Sequence, residues 1–417
     1  MNKRNPKDNM KRLRSIVSTF IIMVILSSVF SAEKTNIYSI RRDHLREKIQ
    51  GRAVLFSGED GQAVDKDFFY LTGIKEPNFI LLITSGVEGD FLFVSGVDDE
   101  ETIKMMAGIS GILNIFPLEQ FDYIFTYALS WEWNIYFPSS IYKYDYGYSL
   151  VLRISLKFPH LMIRDLSPLL AEMRMIKSED ELEIMKTAIE ITAAGLFEAV
   201  RLAEPGMYEY EIQKIIEDTF YSLGAERTGF PSIIGSGPNS VIIHYDKNVR
   251  KTEPGDLIVM DVGAEYLEYT GDLTRTIPVS GKFTPRQQEI YEIVLEAQRK
   301  AINACRPGAT LRDIDLAARN YIEEKGYGRY FIHTTSHSLG LSVHDSWIAN
   351  AKLAPGMVIT VEPGIYISEE NLGVRIEDDV LITEGDCIVL SSFLPKNIEE
   401  IERLMAEKWL PYIVSTF

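Results

Sequence analysis

The chain has 417 residues, of which 46% are hydrophobic and 25% are charged, and its formal net charge is −17. This composition is typical of a globular protein of two or three domains, and it excludes a largely disordered or collagen-like chain. The acidic balance argues against nucleic-acid binding, which requires a basic surface. Two cysteines, Cys305 and Cys387, are too few for a disulfide scaffold or a cysteine-rich zinc site.

The first 31 residues differ in character from the rest of the chain. Six lysine and arginine residues within the first 14 positions precede an apolar stretch, 16–30, that is short for a membrane span. This order is typical of a secretory signal peptide, and Val29 and Ser31 suit the −3 and −1 positions of a cleavage site. We expect cleavage after Ser31 and export to the periplasm or the medium. The alternative is an uncleaved segment that anchors the protein in a membrane.

Residues 37–165 are predicted to form a smaller α/β domain, with a helix near 41–50. Short apolar runs follow, and their spacing is typical of strands. These runs are Ala53–Ser57, Phe79–Thr84 and Phe91–Ser95. Tyrosine at every second position from Tyr142 to Tyr148 predicts an extended segment with four rings on one side. Two interpretations remain open for the rings: half-buried strand packing, or a subunit contact or substrate rim.

Residues 166–417 contain an internal repeat. Glu198–Gly206 is similar to Lys300–Gly308, and Pro254–Gly263 is similar to Pro355–Gly364. Each half also begins with a capping-box pattern, Ser-x-x-Glu in the first half and Thr-x-x-Gln in the second. Helix, helix and strands therefore occur twice. We expect an α/β (α+β) domain with pseudo-twofold symmetry, in which the strands of both halves form one sheet covered by helices and a site lies between the halves.

Four acidic residues point to that site. Asp261 and Glu362 occupy equivalent positions at the end of an apolar run, and each is followed across a predicted hairpin by a second acid, Asp272 or Glu377. Four converging carboxylates repel one another unless cations neutralise them. The histidine-rich stretch 333–344 can add an imidazole ligand, and oxygen ligands with one imidazole suit manganese, iron, cobalt or zinc.

Several motifs carry a family resemblance. In the second half of the chain they are Ile234–Tyr245, Val259–Ala264, Thr270–Arg275, Ser336–Asp345, Thr360–Tyr366 and Val374–Asp379. They resemble the motifs of the pita-bread metallopeptidases and, within that family, of the Xaa-Pro aminopeptidases (aminopeptidase P). Asp67–Gly73 is similar to part of the N-terminal domain of that group. Ser342 and the Ser346-Trp347 pair depart from the family pattern at the expected substrate rim.

The resemblance implies a C-terminal pita-bread fold over 166–417 and two divalent metal ions per subunit. Manganese is the expected metal, with cobalt, zinc or iron as alternatives. The five implied ligands are Asp261, Asp272, His337, Glu362 and Glu377, of which Asp272 and Glu377 bridge both ions. A hydroxide held by the two metals then attacks the scissile carbonyl.

The resemblance also implies roles for residues around the metals. His244, His344 and Glu362 are the implied catalytic residues: the two histidines hold the developing oxyanion and the substrate, and Glu362 also accepts a proton. His333 lines the proline side of the substrate. Tyr366 and Arg375 complete the substrate-binding set, with Arg375 orienting a carboxylate.

The expected activity is release of the N-terminal residue from peptides with proline in second position. One alternative is a prolidase, which cleaves only Xaa-Pro dipeptides at the same kind of site. An alternative from another class is a non-catalytic binding module on the same fold. The expected partners are peptides with an Xaa-Pro N-terminus and further copies of the chain, in a dimer or a tetramer, with no nucleic acid.

Overall fold

The computed structural model describes residues 36–85, 89–97, 99–129 and 132–407. The predicted signal peptide, 1–31, lies outside the described residues, as does the predicted cleavage site. The chain divides into two compact units between Met173 and Arg174. Among the helices that the structure describes, none combines the length and the apolar character needed to cross a bilayer.

The unit that ends at Met173 is built on a mixed six-stranded sheet in the order β4-β3-β2-β1-β5-β6. Its strands are β1 Arg52–Phe56, β2 Ile80–Thr84, β3 Phe91–Val94, β4 Asn114–Pro117, β5 Asn134–Phe137 and β6 Met162–Asp165. The helices of this part of the chain are α1 Ile37–Lys48, α2 Lys66–Thr72, α3 Glu100–Ser110, α4 Phe121–Leu129, α5 Asp145–Lys157 and α6 Ser167–Met175. Every residue of β1 and β2 is buried, as expected for continuous apolar strands covered on both faces.

The predicted helix near 41–50 and the three predicted strands are found in this unit, but the prediction for the tyrosine run is wrong. Tyr142 lies in a short 3₁₀ helix, and Tyr146 and Tyr148 lie in α5 rather than in an extended segment. Leu150 and Ile154 recur at helical spacing and are buried, so packing of this face outweighs the strand preference of the tyrosines.

The unit that begins at Arg174 holds the predicted repeat. Its helices are α7 Glu179–Leu202, α8 Glu209–Ser222, α9 Pro285–Ala304, α10 Leu311–Glu324 and α11 Ile398–Ala406. Its strands are β7 Arg227–Thr228, β8 Ile233–Ser236, β9 Leu257–Val262, β10 Ala264–Tyr266, β11 Tyr269–Thr270, β12 Leu273–Pro278, β13 Val358–Val361, β14 Gly364–Ile367, β15 Leu372–Arg375, β16 Asp378–Ile382 and β17 Cys387–Val389. Two helices followed by strands thus occur twice, as predicted.

Both predicted capping boxes are present. Ser178 and Glu181 form the box that begins α7, and Thr284 and Gln287 form the box that begins α9. The turns after α7 and α9 also correspond, since Gly206 and Gly308 both adopt positive φ values, of 95° and 88°. Residues with a Cβ rarely adopt this conformation, so each half uses glycine for the same turn.

The strands of the two halves do not form the single predicted sheet. They form four short ladders, in the orders β12-β9-β8, β13-β16-β17, β14-β15 and β11-β10-β7. The β10–β11 and β14–β15 hairpins leave the main ladders just before the second acid of each pair. The halves are joined where Glu377 N–H donates to Thr274 O at 3.1 Å and Arg375 N–H donates to Thr276 Oγ1 at 3.1 Å.

Apolar side chains of both halves form one core beneath these strands. Ile258 and Met260 of β9 belong to it together with Ile359 and Val361 of β13. Their neighbours in sequence face the opposite side, because side chains alternate along a strand. The core therefore fixes the strands whose ends carry the candidate site.

Candidate functional site

The four acids predicted as a cluster lie at equivalent points of two antiparallel strand pairs. Asp261 is on β9 and pairs with Thr274 of β12, and Asp272 immediately precedes that strand. In the second half, Glu362 follows β13 and Glu377 immediately precedes β16. Each intervening hairpin returns the chain to the same end of its ladder, as the sequence predicts.

His337 lies between acids of the two halves. Its Nε2 is 3.4 Å from Asp272 Oδ2 and 3.4 Å from Glu362 Oε1. One ligand atom each of Asp272, His337 and Glu377 lie within 4.8 Å of one another, so these three can hold a single metal ion. The arrangement thus brings together carboxylates from both halves around one imidazole.

The electrostatics of this cluster suit divalent cations. Burial, together with the charges of neighbouring carboxylates, raises the pKa of Asp272 and of Glu377 well above the ordinary range. Burial raises the pKa of Glu362 to about 8. Among the described residues, no donor reaches the buried Oδ1 atoms of Asp261 and Asp272. Buried carboxylate oxygens without donors, beside one imidazole, are the donor set that a metal pair requires, so these residues fit the group.

Polar neighbours fix the orientation of the carboxylates. Thr274 Oγ1 donates to Glu377 Oε2 at 2.7 Å, and Arg375 Nη2 donates to Asp261 Oδ2 at 2.6 Å. Such contacts behind ligand atoms orient them and tune their basicity. The role of Thr274 was not predicted. The sequence does contain one indication of this role: Thr274 follows Asp272 by two positions where a strand begins, and residues at that spacing face the same side of a strand.

A second ion-pair network holds the strand beside Glu377. Arg275 Nη2 donates to Asp378 Oδ1 at 2.8 Å, and Lys396 Nζ donates to Asp378 Oδ2 at 2.5 Å. Burial alone would raise the pKa of Asp378, but the charges of Arg275 and Lys396 lower it to about 2. Arg275 Nη1 also donates to the backbone oxygen of Glu377 at 2.6 Å. Glu377 is therefore fixed through its backbone as well as its side chain.

His333, Tyr366 and Arg375 form a chain of hydrogen bonds beside the acids. His333 Nδ1 lies 2.9 Å from Thr334 O, which only accepts, so Nδ1 carries the hydrogen and Nε2 accepts. Tyr366 Oη is 2.8 Å from that Nε2 and accepts from Arg375 Nη1 at 2.9 Å. Burial lowers the pKa of His333 to about 4, which keeps the ring neutral. A neutral His333 gives this part of the site an apolar ring face.

His344 lies near both His337 and His244. The ring centroids of His337 and His344 are 4.4 Å apart, with the rings nearly perpendicular. Burial lowers the pKa of His344, and the charges of His337 and His244 lower it further. The structure therefore brings all ten residues singled out in the sequence into one region of the unit that begins at Arg174.

Glu209 is a supporting residue that the sequence did not reveal. It is the first residue of α8 and is fully buried. Its carboxylate accepts hydrogen bonds from five groups on the segment that carries His244. The donors are Ser236 N at 2.8 Å, Ser236 Oγ at 2.6 Å, Asn239 Nδ2 at 3.0 Å, Tyr245 Oη at 2.8 Å and Arg250 N at 2.8 Å. An acid in the first turn of a helix is ordinary, so its position carried no signal.

Comparison with known proteins places this site among peptidases. The model of metallopeptidase family M24 matches residues 183–384. The Xaa-Pro aminopeptidase of Haemophilus influenzae is 36% identical over 82% of this chain and 88% of its own length. The Xaa-Pro dipeptidase of Pyrococcus furiosus is 37% identical over 72% of this chain and 87% of its own length.

Solved structures show the same architecture. The aminopeptidase PepP of Pseudomonas aeruginosa superposes with a TM-score of 0.81 at 30% identity, covering 88% of this chain and 97% of its own. The proline aminopeptidase P II of Yersinia pestis gives a TM-score of 0.81 at 30% identity, covering 89% and 100%. These matches confirm both the resemblance and the mixed α/β fold that it implied.

Proposed function

Because the chain belongs to metallopeptidase family M24, we propose that it is an Xaa-Pro aminopeptidase, a hydrolase that releases the N-terminal residue from peptides with proline in second position. The observation that carries this proposal is the convergence of Asp272, His337 and Glu377, with Glu362 against His337, in a chain similar to named Xaa-Pro aminopeptidases. A binding module would have no need of this buried acidic cluster.

The family resemblance implies which residues would hold two metal ions, and the close approach of Asp272, His337 and Glu377 supports that assignment. As the resemblance implies, Asp272 and Glu377 would serve both ions, Asp261 would complete one site, and His337 with Glu362 would complete the other. When bound, the ions polarise the scissile carbonyl and lower the pKa of water. Glu362 lies 3.4 Å from His337 and would accept the proton released as the bond is attacked.

Side chains around the acids would bind the substrate. His344 lies beside His337 and close to His244, and His244 and His344 would donate to the oxyanion that develops on the carbonyl oxygen. The neutral His333 ring would pack against the proline, with Tyr366 holding the ring in place. The bond before proline is a tertiary amide without an N–H, so a site for it must use shape rather than that hydrogen bond.

We also propose manganese as the metal. Four carboxylates and one imidazole form a mostly oxygen donor set, which suits manganese better than a sulfur-rich or imidazole-rich site would. Metal analysis of protein purified from its native host tests this directly. We expect manganese at two ions per chain, whereas zinc, cobalt or iron at that ratio would replace the assignment.

The length of the peptide substrates that are cleaved distinguishes an aminopeptidase from a prolidase. The prolidase alternative is supported by the 37% identity to the Pyrococcus furiosus dipeptidase. Product analysis with Xaa-Pro and Xaa-Pro-Xaa peptides distinguishes them, with Xaa-Ala-Xaa as the control for proline. We expect the tripeptide to be cleaved at least as well as the dipeptide. Turnover of dipeptides alone would make the protein a prolidase.

Export and self-association complete the proposal. The basic leader and apolar segment support export with cleavage after Ser31, and N-terminal sequencing of protein from the native host should begin at Ala32. A soluble chain that begins at Met1 would contradict export. The resemblance supports a dimer or tetramer, which sedimentation of the purified protein tests.

A further inference from the structure

The two cysteines of the chain meet at the end of α9. Cys305 is the residue that follows this helix, and Cys387 is the first residue of β17. Cys305 Sγ lies 3.3 Å from Ala301 O, and Cys387 Sγ lies 3.4 Å from Ile302 O. The two thiols are also within hydrogen-bond distance of each other, so the sulfur atoms lie side by side.

The two thiols differ in exposure and in acidity. Cys305 is buried and Cys387 is partly exposed. A hydrogen bond between the thiols, together with burial, raises the pKa of Cys305, and the same hydrogen bond lowers the pKa of Cys387. The thiolate is the reactive form of cysteine, so Cys387 is the accessible nucleophile and Cys305 is the protected partner.

The chain contains no third cysteine that could compete for either sulfur. Both residues pack on the same apolar core of the unit that begins at Arg174. A bond between them would tie β17 to α9 and enclose β13–β16, the strands beside Glu362 and Glu377. It would therefore link the segment that carries two candidate metal ligands to the helix beneath it.

We propose that Cys305 and Cys387 are a redox pair that closes to a disulfide when the protein meets a disulfide oxidant such as oxidised glutathione. The Cys387 thiolate attacks one glutathione sulfur, forms a mixed disulfide and expels one glutathione thiolate. Cys305 then loses its proton and attacks Cys387 Sγ, which expels the second glutathione thiolate. Two thiols are oxidised, and one molecule of oxidised glutathione is reduced to two of glutathione.

The oxidation state of the two cysteines depends on the compartment in which the protein works. Disulfides persist in oxidising compartments and are rare in the reducing cytosol, so the chain would carry the closed form if it is exported as proposed above. A disulfide that closes a long loop lowers the conformational entropy of the unfolded chain and thereby stabilises the folded protein. This inference concerns the cysteines alone and is independent of the peptidase assignment.

The test begins with reduced, purified full-length chain incubated with oxidised glutathione. Free thiols are counted after denaturation, and proteolytic fragments are identified by mass spectrometry. We expect the thiol count to fall from two to none, with one fragment that links Cys305 to Cys387 and a thermal midpoint that rises and returns on reduction. Two remaining thiols, or two glutathione adducts without the link, would overturn the proposal.

Single variants separate the roles of the two cysteines. In Cys305→Ala the remaining Cys387 should take up one glutathione and keep it, because no second thiol resolves the adduct. In Cys387→Ala the buried Cys305 should stay unmodified in the folded protein. Equal modification of both variants would contradict the assignment of Cys387 as nucleophile. A count of one thiol in each denatured, untreated variant controls for expression and recovery.

Discussion

At the scale of single residues, Asp272 is the acid on which the candidate metal site most depends. It faces His337 at 3.4 Å, and its own N–H donates to Asp379 Oδ2 at 3.1 Å, so its backbone is fixed by the second half. A carboxylate in this position would serve both ions, whereas Asp261 or Glu362 would serve one.

We therefore expect Asp272→Ala to lose both metal ions. Since a metal ion supplies several kcal/mol of transition-state stabilisation, activity should fall by at least about a thousandfold. Metal content by mass spectrometry and hydrolysis of an Xaa-Pro-Xaa peptide measure the two effects. Asp218→Ala, which removes an exposed carboxylate from α8, is the matched control and should change neither. Retention of two ions by Asp272→Ala would contradict the bridging assignment.

Glu209 acts on His244 through the segment between Ser236 and Arg250. In Glu209→Gln, an amide NH2 group replaces one acceptor oxygen of the carboxylate. Its hydrogens then face groups that are themselves donors, so hydrogen bonds to the segment are lost and the segment should become less well ordered. Misplacing a substrate-binding group by about 1 Å can cost as much as a hundredfold in rate, and we expect kcat/KM to fall by roughly 10- to 100-fold.

Metal content distinguishes this positioning effect from general damage. Glu209→Gln should still bind two ions per chain, because none of the candidate ligands contacts Glu209. Tyr245→Phe, which removes one of the five donors, should give a smaller loss. A Glu209 variant with full activity would show that His244 is held by other contacts.

At the scale of elements, the packing of α7 against the end of the β11–β12 turn sets the position of Asp272. A Cβ on Gly271 would lie 2.8 Å from Thr192 Oγ1 and 3.0 Å from Ile189 Cα, both in α7. The second contact is with backbone, so the helix or the turn would have to move.

Gly271→Ala should therefore lower both stability and metal affinity. Overpacking a buried contact costs about 1–3 kcal/mol of unfolding free energy, and the displaced turn carries Asp272 with it. Urea unfolding and a metal titration measure the two effects. Gly108→Ala is the control, because the residue is helical and, in the part of the chain that the structure describes, no atom outside its own helix lies within 4 Å of a Cβ placed there. Alanine there should stabilise α3 by up to about 1 kcal/mol, which reverses the sign of the effect.

Sequence-based prediction succeeded where local interactions decide the structure and failed where contacts between residues distant in sequence decide it. The capping boxes at Ser178 and Thr284 are local hydrogen-bond patterns, so they predicted the helix starts correctly. The convergence of the four acids could be predicted because carboxylates at equivalent positions of a repeat are unusual. The tyrosine run failed because burial of Leu150 and Ile154 decided the helix. The role of Glu209 depends on partners up to 41 residues away, which no local pattern reveals.

At the scale of the whole molecule, the ligands of the candidate metal site come from both halves of the repeat. Bound ions would favour the folded state over the unfolded chain, in which the ligands are far apart. A ligand present at a hundredfold excess over its Kd stabilises a protein by about 2.7 kcal/mol, so removal of the metals should lower the thermal midpoint by several degrees.

Thermal unfolding with and without a chelator measures this contribution. Circular dichroism at 25 °C should show unchanged helix content after chelation, because no helix depends on the ions. Addition of manganese to the chelated, dialysed protein should restore both the midpoint and the activity. A midpoint that does not move on chelation would show that the ions stabilise the fold little.

The division of the ligands between two halves also governs when a growing chain becomes able to cut peptide bonds. Thr274, two residues after Asp272, and its partner Glu377 are 103 residues apart. At synthesis rates of about 5–20 residues per second, the ribosome makes the first pair of acids several seconds before the last one. During that interval the nascent chain holds only half of a metal site. Peptidase activity is thus withheld until the second half has been made and has folded.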